Sequence, residues 1–322
     1  MDGAPPAVRM PGELRPSLRE RLTIILTTSP VGRHPATDLI EEVMGSMQLA
    51  PGLEQCRLLI VCDGCRTENG EGVKYSESKY RSGIVTEKCA ANYKEYKRRL
   101  RKLASRHPRP GETEVIELES RNGFGFAVKA AMEHVRTPYV IVMQHDRALM
   151  HEVDVARLVT AMEASPGRLK YIGLPTATTL GHQGHVLSKY KIYIEPFEAD
   201  EDGLQLLPLI QWYDSCHVAE SQYYREFVFG PRKLVARGGF IEDKFGQAQL
   251  ADIRRRGVEA AHGEYGTFVA VGPADAFGRS LVGHLDGRDG LVALKFRWAS
   301  ADQATRPRGA RMAWLRPLCC GG

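Results

Sequence analysis

Apolar positions fall into two patterns along the chain. Leu22-Thr-Ile-Ile-Leu-Thr-Thr28, Arg57-Leu-Leu-Ile-Val-Cys-Asp63 and residues 138–144, within Tyr139-Val-Ile-Val-Met-Gln-His-Asp-Arg147, are near-continuous apolar runs rich in β-branched residues. Such runs predict strands buried on both faces. Thr113-Glu-Val-Ile-Glu-Leu-Glu119 predicts a further strand. Between them Leu39, Ile40, Val43, Met44 and Met47 recur at helical spacing behind Thr37 or Asp38 as cap. A basic helix is expected around 86–105, and Asn122-Gly-Phe-Gly-Phe-Ala127 reads as a turn leading into a helix to about Val135. Strand and helix alternate, and each link is too long for a hairpin. The expected class is therefore α/β: a Rossmann-like, mostly parallel central sheet with helices on both faces.

The second half is less regular. Residues 152–164 predict a helix, Lys170-Tyr-Ile-Gly-Leu174 a short strand, and 181–205 a loop-rich stretch holding a Tyr/Ile strand at 190–194. The stretch from Trp212 to Phe229 is rich in aromatics. A helix over Gln247–Arg256 stops at Gly257, Val269 and Val271 suggest another strand, and His284-Leu-Asp-Gly-Arg288 reads as a loop. Residues 1–20 read as a disordered leader and 299–322 as a mobile tail. The folded part splits into a half at 21–150 and a half at 151–298. No internal repeat is visible.

Composition adds bounds. With 322 residues, 43% hydrophobic and 26% charged, the chain can bury a substantial core. A formal charge of +5 favours acidic ligands without singling out nucleic acid. Seven irregularly spaced cysteines do not form a secreted disulfide framework, and no signal peptide or membrane-spanning stretch is visible, so the cytoplasm is the expected compartment. The alternative is the Golgi lumen, if an anchor is missing from this chain. Cys319-Cys320 reads as part of the tail.

Chemistry concentrates at the strand ends. Asp63 and Asp146 close strands of one expected sheet, and in open α/β sheets that edge is where ligands bind. Asp63 suits hydrogen bonds from a base or ribose, or the capping of its own Asp-Gly turn. Asp146, a hard oxygen ligand beside Gln144 and His145, suits a divalent cation holding a diphosphate, or simply starts a turn. Glu242-Asp243, just before a helix, can take a proton from an attacking hydroxyl or complement the helix dipole. His284 reads as a surface or metal-touching histidine.

Other motifs are weaker. Gly123-Phe-Gly125 lacks the third glycine and downstream acid of a dinucleotide fingerprint. Cys62-Asp-Gly-Cys65 has redox spacing but no helix opening behind it, and His182 and His185 sit in a Gly-rich loop. Lys94, Lys97, Arg98, Arg99, Arg101, Lys102 and Arg106 go around a helix without interleaved aromatics, which favours a solvated face over an RNA-binding one.

From Leu22 to Arg288 the chain resembles GT-A-fold glycosyltransferases, closest in pattern to the family 2-like group. Thr27-Thr28-Ser29-Pro30 matches where such enzymes begin to hold the nucleotide, and Val61-Cys-Asp63-Gly64 is similar to the strand-ending Asp that contacts the base. Arg121-Asn-Gly-Phe-Gly-Phe-Ala-Val-Lys129 resembles the segment before the metal motif, with Arg121 and Lys129 replacing common asparagines. Gln144-His145-Asp146 falls where Asp-x-Asp belongs, its first acid replaced by Gln144. Phe240-Ile-Glu242-Asp243 resembles the motif supplying the base in inverting members, and His284 matches a histidine that often completes the metal site.

The resemblance implies a nucleotide-binding half at 21–150, an acceptor half at 151–298, and transfer from a nucleotide diphosphate sugar, with a UDP-sugar as expected donor, to an acceptor hydroxyl. It implies Thr27, Thr28, Asp63, Arg121, Gly123, Lys129, Gln144 and His145 at the donor, and Asp146 and His284 on Mn²⁺ or Mg²⁺. Asp243 would be the base, with Glu242 as the other choice, and inversion the outcome. Trp212, Tyr213, Asp214 and His217 either line the acceptor pocket, for a glycan, glycoprotein or small molecule, or form aromatic core. Three competing readings are a sugar-1-phosphate nucleotidyltransferase, though the loop after the first strand is short and Gly-poor, a non-catalytic relative with a decayed site, and an RNA-binding protein. No nucleic-acid partner is expected.

Overall fold

The computed structural model describes residues 16–67, 83–106, 111–272 and 279–285. The strands are β1 Leu22–Thr28, β2 Arg57–Cys62, β3 Arg66–Thr67, β4 Ile84–Val85, β5 Thr113–Glu117, β6 Tyr139–Gln144 and β7 Arg147–Leu149. They continue with β8 Tyr171–Gly173, β9 Phe197–Glu198, β10 Gln205–Pro208, β11 His217–Glu220, β12 Thr267–Val271 and β13 Val282–His284. The helices are α1 Leu18–Arg21, α2 Asp38–Ser46, α3 Glu87–Arg106, α4 Gly123–Met132 and α5 Val155–Ala164. They are followed by α6 Ala177–Leu180, α7 His182–Tyr190, α8 Ser221–Tyr223, α9 Gln247–Arg256 and α10 Val258–Tyr265.

Nine strands form one sheet in the order β5-β2-β1-β6-β11-β8-β12-β10-β9. The β5-β2-β1-β6 block is parallel throughout, β11 runs against it, and β8 and β12 resume the original direction. Only β10 reverses again. The expected α/β class, with a mostly parallel Rossmann-like central sheet and helices on both faces, is what the chain adopts.

The unbroken apolar runs have a simple cause. Successive strand residues point to opposite faces, and here both faces are covered. Ile24, Leu26, Leu58, Ile60, Ile141 and Met143 join one core with side chains of α2, α3 and α5. Their neighbours Ile25, Leu59, Val61, Val140 and Val142 join a second core with α4, α9 and α10 and the aromatic stretch around Trp212.

Several expectations need correction. Of the leader expected at 1–20, residues 1–15 lie outside the described residues, whereas Ser17 and Glu20 form a capping box that starts α1, and Leu18 and Arg21 are buried. The Asn122–Ala127 turn is already the first turn of α4. The strand expected at 190–194 is absent; α7 runs to Tyr190 and ends at Lys191, whose φ of 58° stops it. His284 lies in β13, not in a loop. Residues 299–322, expected to form a tail that includes Cys319-Cys320, lie outside the described residues.

Candidate active site

Asp63, Asp146 and Asp243, distant in sequence, line one cleft of about 860 Å³ at the carboxyl ends of the parallel strands. Thr27, Thr28, Arg121, Gly123, Gln144 and His145 line it as well, as do Tyr213, Asp214, Glu242 and His284. Three expected residues do not. Lys129 is exposed on the outer side of α4, its ammonium over the Phe126 ring. Trp212 and His217 are fully buried beneath the cleft, where both pack on Tyr171. Aromatic packing, not contact with an acceptor, accounts for these two positions.

Asp63 is engaged by backbone. Its Oδ1 accepts N–H bonds from Gly64 (2.9 Å) and Asn122 (2.7 Å), and its Oδ2 accepts one from Gly123 (2.8 Å). The acid that ends β2 thus caps the start of α4. Burial pushes its carboxyl up, and the three N–H groups work against that rise.

The same loop is laced to the segment before Glu242. Gly238 N–H donates to the Asn122 carbonyl (2.5 Å), Gly125 N–H to the Gly239 carbonyl (3.2 Å), and Arg121 Nη2 to the Gly238 carbonyl (2.7 Å). Gly123 has φ +75°, and a Cβ there would lie 2.5 Å from the Gly238 carbonyl carbon. Only glycine permits this crossing, which fixes the segment before Glu242 against the start of α4.

Asp146 sits in the turn between β6 and β7. Strand β13 pairs with β7 so that His284 stands opposite Arg147, and His284 Nε2 lies 3.0 Å from Asp146 Oδ2. Burial would push the Asp146 carboxyl up, but the His284 hydrogen bond and the charges of His145, His284 and Arg147 outweigh it and hold the carboxyl at about 2. An ionised carboxylate can only accept, so His284 Nε2 is the donor, and the tautomer with a single ring proton leaves Nδ1 as an acceptor. Asp146 Oδ1 and His284 Nδ1 are both buried and have no hydrogen-bond partner among the described residues.

Two buried acceptors without a donor, one oxygen and one imidazole nitrogen, fit a divalent cation. No cluster of three or more His, Cys, Asp or Glu suited to a metal occurs among the described residues. A cation there would need oxygens from a ligand or water to complete its shell. The Gln144 amide nitrogen donates to the Asp214 carbonyl, which leaves its Oε1 as the only side-chain atom that could reach a cation.

Glu242 and Asp214 are bound to each other. Glu242 N–H donates to Asp214 Oδ2 (2.9 Å), Asp214 N–H to Glu242 Oε2 (3.3 Å), and Trp212 Nε1 to Asp214 Oδ1 (2.9 Å). Burial, then the neighbouring Glu242 charge, pushes the Asp214 carboxyl well above the usual range. Asp243, by contrast, is exposed at the cleft, with Oδ2 accepting the Phe240 N–H (2.9 Å).

Cleft residues the sequence reading passed over include Arg147, Ser215 and a hydroxyl-rich wall of Thr176, Thr178 and Thr179. The Thr-x-x-Thr spacing of a capping box was the available signal for the last group. The weaker motifs resolve as well. Burial pushes the Cys62 thiol up to about 12, which removes the thiolate a redox pair needs. In the basic run, Lys97 and Arg101 pair with Glu117, and Arg98 and Arg99 with Glu95.

No family model and no curated protein matches the chain. Solved structures similar to it include a mannosyltransferase, PcManGT from Pyrobaculum calidifontis, in complex with GDP-Man and Mn²⁺ (12% identity, 84% of this chain and 62% of that one, TM-score 0.42). Others are S. aureus TarS 1–349 (10%, 71% and 55%, TM-score 0.38) and a CMP:2-keto-3-deoxy-manno-octonic acid synthetase complexed with CTP (11%, 78% and 88%, TM-score 0.38). The chain thus spans less than two thirds of the first two. No described helix is long and apolar enough to cross a membrane.

Proposed function

We propose that this chain is a metal-dependent glycosyltransferase that moves a sugar from a nucleotide diphosphate donor, with a UDP-sugar as the expected one, to an acceptor hydroxyl with inversion. One observation carries the reading. The unpartnered acceptors Asp146 Oδ1 and His284 Nδ1 share a cleft with a separate carboxylate, Asp243, that stands open to it. A cation site and a base in one cleft at the strand ends is what a metal-bound donor and an incoming hydroxyl require.

Asp146 and His284 would hold Mn²⁺ or Mg²⁺, which when bound neutralises the charge growing on the departing diphosphate. Thr27, Thr28, Asp63, Arg121, Gly123, Gln144 and His145 form the donor side of the cleft in this reading. Asp63 serves there by fixing the Asn122–Gly123 backbone. Asp243, oriented by the Phe240 N–H, accepts the proton of the acceptor hydroxyl. The freed oxygen bonds to the anomeric carbon as the bond from that carbon to the phosphate oxygen breaks, and the electron pair leaves with the diphosphate. Attack opposite the leaving group inverts the centre. Glu242, tied to Asp214, is the less available base. Tyr213, with its hydroxyl 3.1 Å from His182 Nδ1, faces the acceptor side.

Transfer from UDP- and GDP-sugars, followed by product NMR at the anomeric centre, tests the reading. Asp243→Asn is expected to lower turnover about 100-fold, within the range of a lost general base, with donor affinity little changed. Turnover equal to that of the parent, or retained configuration, would count against Asp243 as base. A second reading, a nucleotide-sugar or glycan binder without turnover, is favoured by Gln144, a neutral amide where the resemblance expects the first acid of the metal motif. Tight donor binding with neither transfer nor hydrolysis would select it.

A further inference from the structure

Two more buried polar atoms in the cleft lack partners, and they differ in kind from the Asp146–His284 acceptors. Arg147 Nε and Ser215 Oγ are buried and make no hydrogen bond among the described residues. Both residues line the cleft. A guanidinium N–H can only donate, and a hydroxyl can donate through its rotor. Leaving such groups buried and unpaired costs about 1–3 kcal/mol each, and more for a charged one.

The two residues come from different elements that meet here. Arg147 opens β7 opposite His284, and the Cys216 thiol, next to Ser215, reaches the Arg147 carbonyl at 3.8 Å. Ser215 follows Asp214, whose carbonyl accepts the Gln144 amide. The end of β6, the start of β7 and the segment entering β11 are therefore pinned together, and the cleft they border holds two unpartnered donors and two unpartnered acceptors. Two acceptors call for a cation, and two donors call for an oxyanion.

We propose that Arg147 and Ser215 form an oxyanion subsite that takes non-bridging oxygens of the donor's diphosphate, beside the Asp146–His284 cation site. The assignment rests on the glycosyltransferase reading for the identity of the ligand, but it concerns residues which that reading leaves without a role. Because the guanidinium charge is permanent, this subsite holds part of the diphosphate charge whether or not a divalent ion is present.

Calorimetric titration with UDP, GDP, inorganic pyrophosphate and the nucleosides uridine and guanosine, with and without Mg²⁺, tests the subsite in the intact chain. Arg147→Gln is expected to weaken whichever diphosphate binds by about 10–100-fold, the size of a charge-assisted hydrogen bond. Ser215→Ala should weaken it about fivefold. Nucleoside affinity should not move, and the Arg147→Gln effect should persist without Mg²⁺. The unliganded Arg147→Gln protein should stay folded and unfold cooperatively, with a melting temperature only modestly lowered by loss of the charge next to Asp146. Equal diphosphate affinity in parent and both variants would overturn the subsite while leaving the glycosyltransferase reading in place. Loss of folding in unliganded Arg147→Gln would make Arg147 a structural counter-charge and overturn it too. If the parent binds neither UDP, GDP nor pyrophosphate, both the subsite and the reading beneath it fall.

Discussion

The ends of β2 and β6 look alike in sequence and differ in what they do. Each is an apolar run closed by an aspartate at the carboxyl edge of the same parallel block. Asp63 gives its oxygens to three backbone N–H groups and binds the start of α4 to the sheet. Asp146 meets one imidazole and keeps an oxygen without a partner among the described residues. A carboxylate satisfied by its own backbone stabilises the fold. A carboxylate that keeps a buried acceptor unpartnered is, in the proposed function, the one that binds a cation.

Substitution separates the two most sharply. Asp146→Ala should lower transfer by about 10³-fold, the loss of leaving-group stabilisation being worth about 4 kcal/mol, with a loss of stability smaller than the one expected at Asp63, since the ionised carboxylate held at about 2 contributes some of its own. Asp63→Ala should do the reverse. It strands three N–H groups at a buried position, so urea unfolding should report a loss of about 3 kcal/mol, with activity falling only as folded protein is lost. If Asp63→Ala is as stable as the parent but inactive, the two ends do the same job and the contrast is lost.

Gly123→Ala comes next in size. A methyl group there meets the Gly238 backbone at a φ of +75°, and the expected destabilisation is about 2 kcal/mol. Its effect on turnover should exceed its effect on nucleoside binding, because the crossing positions Glu242 and Asp243. Equal losses in both would mean that the crossing supports only the fold.

The smallest effect concerns pH and belongs to the structural end. His34 stacks on Tyr93 and Tyr96, and the Tyr96 hydroxyl bonds Thr28 at the end of β1. Burial, with the nearby charge of His145, pulls His34 down to about 3, and burial pulls His182 and His217 to about 4. The unfolded chain takes up these protons near 6.5 and the folded one does not, so stability is complete above that pH and is lost as pH falls toward 4. His34→Gln should flatten the slope of unfolding free energy against pH by on the order of 1 kcal/mol per pH unit. An unchanged slope would remove His34 from the account. Asp146, held at about 2, stays ionised across this window.

The sequence revealed what depends on local pattern. The parallel strands, the α9 stop at Gly257 and the gathering of strand-end acids all follow from period, breaker residues and the geometry of open sheets. What it hid depends on partners far along the chain. The role of Asp63 is set by Gly123, 60 positions away. His284 looked like a loop residue because its strand exists only through pairing with β7, 138 positions from Asp146 in the resulting contact. Trp212 and His217 could not be assigned from aromatic content alone, since core and sugar-binding rings have the same composition. The strand misread at 190–194 shows local Tyr and Ile preference losing to a helix already under way over His182–Tyr190.

Titration of Mn²⁺ by electron paramagnetic resonance, with and without UDP or GDP, tests the contrast between the two strand ends most directly. The expected result is Mn²⁺ binding that tightens when the nucleoside diphosphate is present, is lost in Asp146→Ala and His284→Ala, and persists in folded Asp63→Asn. Mn²⁺ binding that is unchanged in Asp146→Ala, or that disappears only in Asp63→Asn, would contradict it.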